Sequence, residues 1–127
     1  MARVLVIDDD LDTRVLLEET LRSAGHEVLL ASDGKEGLSI YRTKPADVVI
    51  TDIYMPTKGG LETIIELRQS CPEVPILALS GTGAARAMLS IAQKFGAIAV
   101  LQKPFAAQDL INTVKKALQA KDATLFE

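Results

Sequence analysis

Four aspartates that follow short apolar runs are the residues of this chain best suited to chemistry. Asp8, Asp9 and Asp10 are consecutive, and Asp52 comes soon after the run 48–50. Carboxylates can act as nucleophiles or bind a hard divalent cation such as Mg²⁺. Asp10 could instead cap a following helix, and Asp52 alone could accept hydrogen bonds from loop amides. Because close carboxylates repel each other by about 1–4 kcal/mol per pair, a positive charge is expected among them.

A hydroxyl and a lysine occupy similar positions further along the chain. Ser80 ends the apolar run 76–79, and Lys103 comes after another such run, just before Pro104. Taken singly, Ser80 is as readily a turn residue, and a lone lysine is usually a solvated side chain. At a shared edge of a sheet, however, Lys103 could pair with Asp52 or with an anion attached to it, and Ser80 could offer its hydroxyl.

The elements that would position these residues can be predicted from hydrophobic periodicity and breakers. Apolar, β-branched runs predict strands, and amphipathic runs ended by glycine or proline predict helices. In the first helix, Leu16, Leu17 and Leu21 are expected on the apolar face. The predicted strands are 3–7, 27–31, 47–51, 74–79 and 98–101, and the predicted helices are 11–24, 34–44, 61–69, 84–95 and 107–121.

Regular β–α alternation with short connections predicts an α/β, doubly wound (βα)5 sandwich with a five-stranded parallel sheet. Parallel strands bring their carboxyl ends to one edge, which is where ligands bind in open α/β sheets. We therefore expect the candidate residues from four strands to meet there. They are Asp8, Asp9, Asp52, Ser80 and Lys103.

Composition limits the classes of function that this chain can have. With 127 residues, 48% hydrophobic and 24% charged, it has the size of one globular domain. No apolar run approaches the roughly 18 residues of a membrane span, so we expect a cytoplasmic protein without membrane partners. The net charge of −3 offers no broad basic surface for nucleic acid. Single Cys71 and His26 residues exclude a disulfide framework and a multi-histidine metal site.

The acidic run after the first strand also argues against a dinucleotide site. A Rossmann turn places glycines there, whose backbone amides and following helix attract phosphate. Here the turn holds Asp8, Asp9 and Asp10, and unscreened carboxylates would repel that group.

Four motifs, in the order VLVIDDD, TDIYMP, ILALSG and LQKPF, resemble those of the receiver domain of two-component response regulators, including the single-domain chemotaxis type. The resemblance covers essentially the whole chain and implies a flavodoxin-like fold. It implies that Asp52 is the phosphoacceptor and that Mg²⁺ is bound by Asp9, Asp52 and the backbone carbonyl of Tyr54. Asp8 would act largely through a metal-bound water.

The same resemblance implies further roles around the phosphoryl group. Ser80 would bind a phosphoryl oxygen, and Lys103 would pair with the phosphorylated carboxylate. The peptide bond between Lys103 and Pro104 is expected to be cis. Ser80 and Val100 stand at the two switch positions of the family.

The implied partners are a sensor histidine kinase or phosphotransfer protein, which donates a phosphoryl group from phosphohistidine, and a downstream protein. The family usually signals through the fourth helix, last strand and fifth helix. Candidate exposed residues of that face are Arg86, Lys94, Asn112 and Lys115. The domain would catalyse its own modification without turning over a metabolite, so it is not an enzyme in the usual sense.

The sequence departs from the family at a few positions. Gly59 replaces an aspartate that usually caps the third helix. Tyr54 and Thr82 occupy variable positions that flank the phosphoryl group, which leaves its lifetime open. Val100 stands where the family often has an aromatic residue.

Two other readings compete with a phosphoaccepting receiver. The segment 10–13, DLDT, faintly resembles the signature of haloacid-dehalogenase phosphohydrolases, but it falls after the first strand, and the chain has no room for a cap domain. A receiver-like adaptor that is never phosphorylated would not need the full set of acids, hydroxyl and lysine. We expect the receiver domain to span 1–121, followed by a tail, 122–127, that is either frayed or docked.

Overall fold

Strands and helices alternate along the whole chain. The computed structural model describes residues 2–53, 60–70, 73–81 and 85–125, without the side chains of residues 60, 85–89 and 120–125. The strands are β1 (Arg3–Ile7), β2 (Glu27–Ala31), β3 (Val48–Asp52), β4 (Ile76–Ser80) and β5 (Ala99–Gln102). The helices are α1 (Leu11–Ser23), α2 (Gly34–Thr43), α3 (Gly60–Ser70), α4 (Ala85–Phe95) and α5 (Ala107–Leu125).

The five strands form one parallel sheet in the order β2-β1-β3-β4-β5. The predicted doubly wound α/β fold is confirmed. Alternate residues of each strand face opposite sides of the sheet, as Leu5 and Val4 do in β1. One core packs residues of α2, α3 and α4 on one face, and the other packs residues of α1 and α5 on the opposite face.

Strands β3, β4 and β5 each end one residue later than predicted. Their last residues are Asp52, Ser80 and Gln102. Asp52 is paired with Leu79, and Ser80 with Gln102. Pairing between parallel strands uses backbone groups, so it continues into polar residues that an apolar pattern leaves out. Asp52 and Ser80 therefore belong to the sheet and not to the loops that follow it.

The first helix differs from its predicted apolar face. Leu17 and Leu21 are buried, but Leu16 is 52% exposed, so its predicted place in the core is wrong. Leu17 and Leu21 are four residues apart and share one helix face, whereas Leu16 lies about 100° round the helix from Leu17. Gly25, with φ of +93°, follows the end of the helix as predicted.

The last helix runs beyond its predicted end at residue 121 and continues to Leu125. None of the helices in the described ranges has the length and apolar character that a membrane span requires.

Candidate functional site

The acidic residues meet where the winding of the sheet reverses. β1 and β3 are neighbours, with Ile7 level with Thr51, so Asp8 and Asp52 leave adjacent strands at the same height. Carboxylate oxygens of Asp8, Asp9 and Asp52 all lie within 4.8 Å of one another. This is the topological switch point of the fold, between β1 and β3, where ligands of open α/β sheets bind. The predicted convergence of the three acids is present.

Lys103 brings a positive charge to these acids from the end of β5. Its ammonium nitrogen is 2.8 Å from Oδ2 of Asp52 and 3.0 Å from Oδ2 of Asp8. Its backbone N–H donates to the carbonyl of Ser80 over 2.8 Å, which fixes the start of the loop after β5. Lys103 is therefore not the ordinary solvated lysine that composition alone would favour.

Burial and ion pairing shift the pKa values of Asp8 and Lys103. Asp8 is fully buried, and burial raises its pKa above the ordinary value, while hydrogen bonds from the Asp10 amide and Lys103 offset part of that effect. Burial alone would lower the pKa of Lys103, but its bonds to Asp52 and Asp8 outweigh burial and raise it. The charged form of Lys103 is therefore favoured in the folded protein.

Every polar atom of Asp8 takes part in a hydrogen bond. Its amide donates to the carbonyl of Ala31, and its carbonyl accepts from the guanidinium of Arg14 at 2.6 Å. Oδ1 accepts from the Asp10 amide at 2.9 Å, and Oδ2 accepts from Lys103. Asp9, by contrast, is exposed. The two neighbouring acids are thus a fixed buried carboxylate and a water-accessible one.

Asp10 takes the capping role that was one of its alternatives. It is the N-cap of α1, and its side chain accepts from the amide of Thr13 at 3.2 Å and from the Thr13 hydroxyl at 2.6 Å. The Thr13 hydroxyl bond lowers the pKa of Asp10. Because its carboxylate caps the N-terminus of α1, we do not count Asp10 with Asp8, Asp9 and Asp52 as a candidate metal ligand.

The acid set fits a hard divalent cation. Mg²⁺ prefers carboxylate oxygens, keeps several waters and needs an accessible site. Two buried carboxylates and the exposed Asp9, with oxygens within 4.8 Å, meet these demands. The backbone carbonyl of Tyr54, the fourth predicted ligand, lies outside the described residues.

Ser80 ends β4, the strand next to β3, at the same edge of the sheet. It is fully buried, and its Oγ donates to the carbonyl of Gly81 over 3.4 Å, near the limit for a hydrogen bond. Val100 lies in β5, half-buried against the core on the α4 side. The peptide bond between Lys103 and Pro104 is cis, the isomer that the resemblance implies. Gly59 and Thr82 lie outside the described residues.

The contact of Arg14 with Asp8 was not among the predictions from sequence. Arg14 is the fourth residue of α1 and reaches back across the β1–α1 loop to a carbonyl six residues earlier. An arginine just after an acidic run is the only hint in the sequence, and it does not specify which group the guanidinium meets.

The family model for the response regulator receiver domain matches residues 4–115. The chain belongs to this family. The receiver domain is 37% identical over 112 residues to a response regulator receiver protein of Anaeromyxobacter sp., covering 88% of this chain and 47% of that protein. It is 35% identical over 122 residues to the transcriptional regulatory protein PrrA of Mycobacterium tuberculosis, covering 96% of this chain and 52% of that protein.

Solved structures resemble this receiver domain over nearly its whole length. A receiver domain protein of Clostridium thermocellum superposes with a TM-score of 0.90 at 35% identity, covering 98% of this chain and 99% of that one. The chemotaxis protein CheY4 of Vibrio cholerae gives 0.87 at 34% identity, covering 93% and 99%. The chain spans about half the length of the curated relatives that it matches. Receiver domains interact with histidine kinases or phosphotransfer proteins and bind Mg²⁺ at an acidic pocket.

Proposed function

We propose that this receiver domain accepts a phosphoryl group on Asp52 and that the modification changes which protein it binds. The observation that carries the proposal is the contact of Lys103 with Asp52, at 2.8 Å, beside two further aspartates. The Asp52 carboxylate, at the end of β3, keeps 10% of its side chain exposed and is held in place by the sheet. A cation beside it is ready to neutralise an added phosphate.

The chemical step is an in-line displacement at phosphorus. An oxygen of the Asp52 carboxylate forms the new O–P bond while the P–N bond of a phosphohistidine breaks, and the leaving imidazole takes a proton from solvent. Lys103 stabilises the negative charge that gathers on the transferred group, and the Ser80 hydroxyl turns to donate to one of its oxygens. Asp9 and Asp52 would hold Mg²⁺, with Asp8 acting largely through a bound water. When bound, Mg²⁺ would neutralise further charge on the phosphoryl oxygens.

This step makes the domain a participant in its own modification, with at most slow loss of phosphate, and not an enzyme that turns over a metabolite. The competing phosphohydrolase reading needs a nucleophile in the segment 10–13. Asp10 and Thr13 instead bond to each other at the start of α1, which is an ordinary helix cap. An adaptor that is never phosphorylated would not need Lys103 to pair with two carboxylates.

The donor is a sensor histidine kinase or phosphotransfer protein, which must bring its phosphohistidine to the edge of the sheet. Leu11 and Val15 on α1, 62% and 42% exposed, offer an apolar surface on the helix that begins at that edge. A helix of the donor could pack there while its histidine faces Asp52.

A downstream protein would bind the face of α4, β5 and α5. Lys94, Asn112 and Lys115 on that face are exposed, and Arg86 lies where side chains are outside the described residues. Phe95 and Ile98, 41% and 43% exposed, add apolar area at its α4 end. We propose a domain spanning 1–121 that acts in the cytoplasm, with no direct contact to nucleic acid or membrane.

Incubation with acetyl phosphate and Mg²⁺, followed by intact-mass measurement, tests this proposal. A single phosphate adduct, formed only with Mg²⁺, is the expected result. Continuous release of phosphate over many turnovers would instead favour the hydrolase, and neither adduct nor release would favour the adaptor.

A further inference from the structure

A charged side chain outside the acid cluster is hydrogen-bonded to the peptide that joins two of its members. The guanidinium of Arg14 donates through Nη1 to the carbonyl oxygen of Asp8 at 2.6 Å, across the turn between β1 and α1. The distance is short for such a bond, as expected when the donor carries a charge. Arg14 is half-buried, so the bond is shielded from bulk water.

That carbonyl belongs to the peptide unit between Asp8 and Asp9. A peptide unit is planar and trans, so its C=O and the following N–H point in opposite directions. Fixing the carbonyl of Asp8 therefore fixes the amide of Asp9 and the direction in which the chain leaves β1. Asp8 itself is held by Ala31, Asp10 and Lys103 through its other polar atoms. Asp9 is the exposed member of the acid cluster. The peptide unit before it is bonded to Arg14, and the peptide unit after it is bonded to the Asp8 side chain through the Asp10 amide.

We propose that Arg14 is a positioning residue for the metal site: it orients the Asp8–Asp9 peptide so that the Asp9 carboxylate faces Asp8 and Asp52 before a divalent cation arrives. This inference rests on the proposed use of these acids for Mg²⁺. It assigns Arg14 no contact with the cation. Its effect is to reduce the loss of loop freedom that accompanies binding.

Electrostatics and positioning predict opposite signs when Arg14 is replaced by an uncharged side chain. Removing a cation next to an acidic cluster should by Coulomb attraction strengthen the binding of Mg²⁺. Releasing the Asp8–Asp9 peptide should weaken it, because the loop must then be ordered at binding. The sign of the change thus separates the two effects without any assumption about their size.

The test is an NMR titration of the full chain with Mg²⁺ in four proteins: wild type, Arg14→Met, Arg14→Lys and Arg22→Met. Arg22 is the matched control, because it lies on the same helix and its guanidinium donates to Glu18 and to the carbonyl of Val28, away from the acids. We expect Arg14→Met to weaken Mg²⁺ binding about five-fold or more, Arg14→Lys to recover part of that loss, and Arg22→Met to bind like wild type.

Hydrogen exchange in Mg²⁺-free protein gives a second readout that does not depend on activity. The Asp10 amide donates to Oδ1 of Asp8. In Arg14→Met its exchange should quicken about ten-fold, while the Ile53 amide, bonded to the Leu79 carbonyl, stays as slow as in wild type. Equal or tighter Mg²⁺ binding by Arg14→Met would overturn the positioning role alone, and so would faster exchange along the whole chain. A wild-type protein that binds no Mg²⁺ would overturn the metal site and this inference with it.

Discussion

The ammonium nitrogen of Lys103 lies 2.8 Å from Oδ2 of Asp52, although 51 positions separate the two residues along the chain. The contact exists because β3 and β5 lie on either side of β4 and their carboxyl ends reach the same edge of the sheet. It also places the cation against Asp8. One lysine thus balances part of the charge of three carboxylates.

Replacing Lys103 by methionine should lower both stability and reactivity. The change leaves Asp8, which is fully buried, beside Asp52 with no ammonium group, and we expect a loss of about 1–3 kcal/mol in the free energy of unfolding at pH 7. Urea unfolding measures that loss, and the rate of phosphorylation by acetyl phosphate should fall in parallel. Lys116→Met, at an exposed site on α5, is the control. If Lys103→Met had the stability and the phosphorylation rate of wild type, Lys103 would have no role in the site.

The pH dependence of that stability loss has a defined sign. The pKa of Lys103 is raised in the folded protein because its bonds to Asp52 and Asp8 outweigh burial. The stabilisation is therefore fully present below the lysine's unfolded pKa and disappears as pH rises through the higher folded pKa. Wild type and Lys103→Met should differ by a constant amount between about pH 7 and 9 and converge above about pH 10.5. A gap that closes already at pH 8 would contradict the assignment.

Replacing Asp8 by asparagine should stabilise the fold at neutral pH. Burial raises the pKa of Asp8, so its ionisation is less favourable in the folded protein than in the unfolded chain and costs stability as pH rises through that pKa. Asparagine avoids this cost, and we expect a gain of about 1–2 kcal/mol at pH 7 that vanishes below about pH 4. Thermal unfolding at pH 4 and pH 7 measures it, with the exposed Asp12→Asn as control. Asp8→Asn that is less stable than wild type at pH 7 would refute the argument.

Mg²⁺ binding should depend on Asp9 more than on Asp8. Both oxygens of Asp8 already accept protein hydrogen bonds, whereas Asp9 is exposed. We expect Asp9→Ala to weaken binding more than ten-fold, which would remove about half or more of the roughly 2.7 kcal/mol that a ligand at 100 times its dissociation constant adds to stability. Thermal unfolding with and without Mg²⁺ reports the difference, and Asp12→Ala is the charge-matched control. If Asp9→Ala bound Mg²⁺ with wild-type affinity, Asp9 would not be a ligand and the Mg²⁺ site would lie elsewhere.

Phosphorylation should reach α4 through Ser80 and not through Val100. The Ser80 hydroxyl, which donates to Gly81 over a long 3.4 Å, has a stronger, charge-assisted acceptor once a phosphate is present. Val100 is a β-branched, half-buried residue with little area to add in a second state. We therefore expect the coupling free energy between phosphorylation of Asp52 and α4 to lie near the low end of the ~1–3 kcal/mol that is typical of allostery.

Backbone NMR shifts with and without beryllofluoride, a phosphoryl mimic, test this switch. Ser80→Ala should lose most of the shift changes in α4, and Val100→Ala should keep them. The reverse pattern would show that the coupling passes through β5.

Sequence patterns predicted the five-stranded parallel sheet and the meeting of Asp8, Asp52 and Lys103 at one edge, because strand periodicity and regular β–α alternation determine both. The strand order was not among these predictions and comes from the structure. The patterns wrongly placed Leu16 in the core, where only Leu17 and Leu21 are buried. Three leucines within six positions of a helix are compatible with more than one apolar face. The patterns also missed the end of α5, because no glycine or proline follows residue 121 to stop it. The bond from Arg14 to Asp8 depends on the path of a loop, which periodicity does not describe.

The most direct measurement of the central claim is the position of the phosphate. The domain is phosphorylated with acetyl phosphate and Mg²⁺, reduced with borohydride, which converts an aspartyl phosphate to a stable homoserine, and mapped by peptide mass. Asp52→Asn, nearly isosteric but not nucleophilic, is treated in the same way. The account predicts a single modified position at residue 52 in wild type and none in Asp52→Asn. A modification at Asp8 or Asp9, or one that persists in Asp52→Asn, would contradict it.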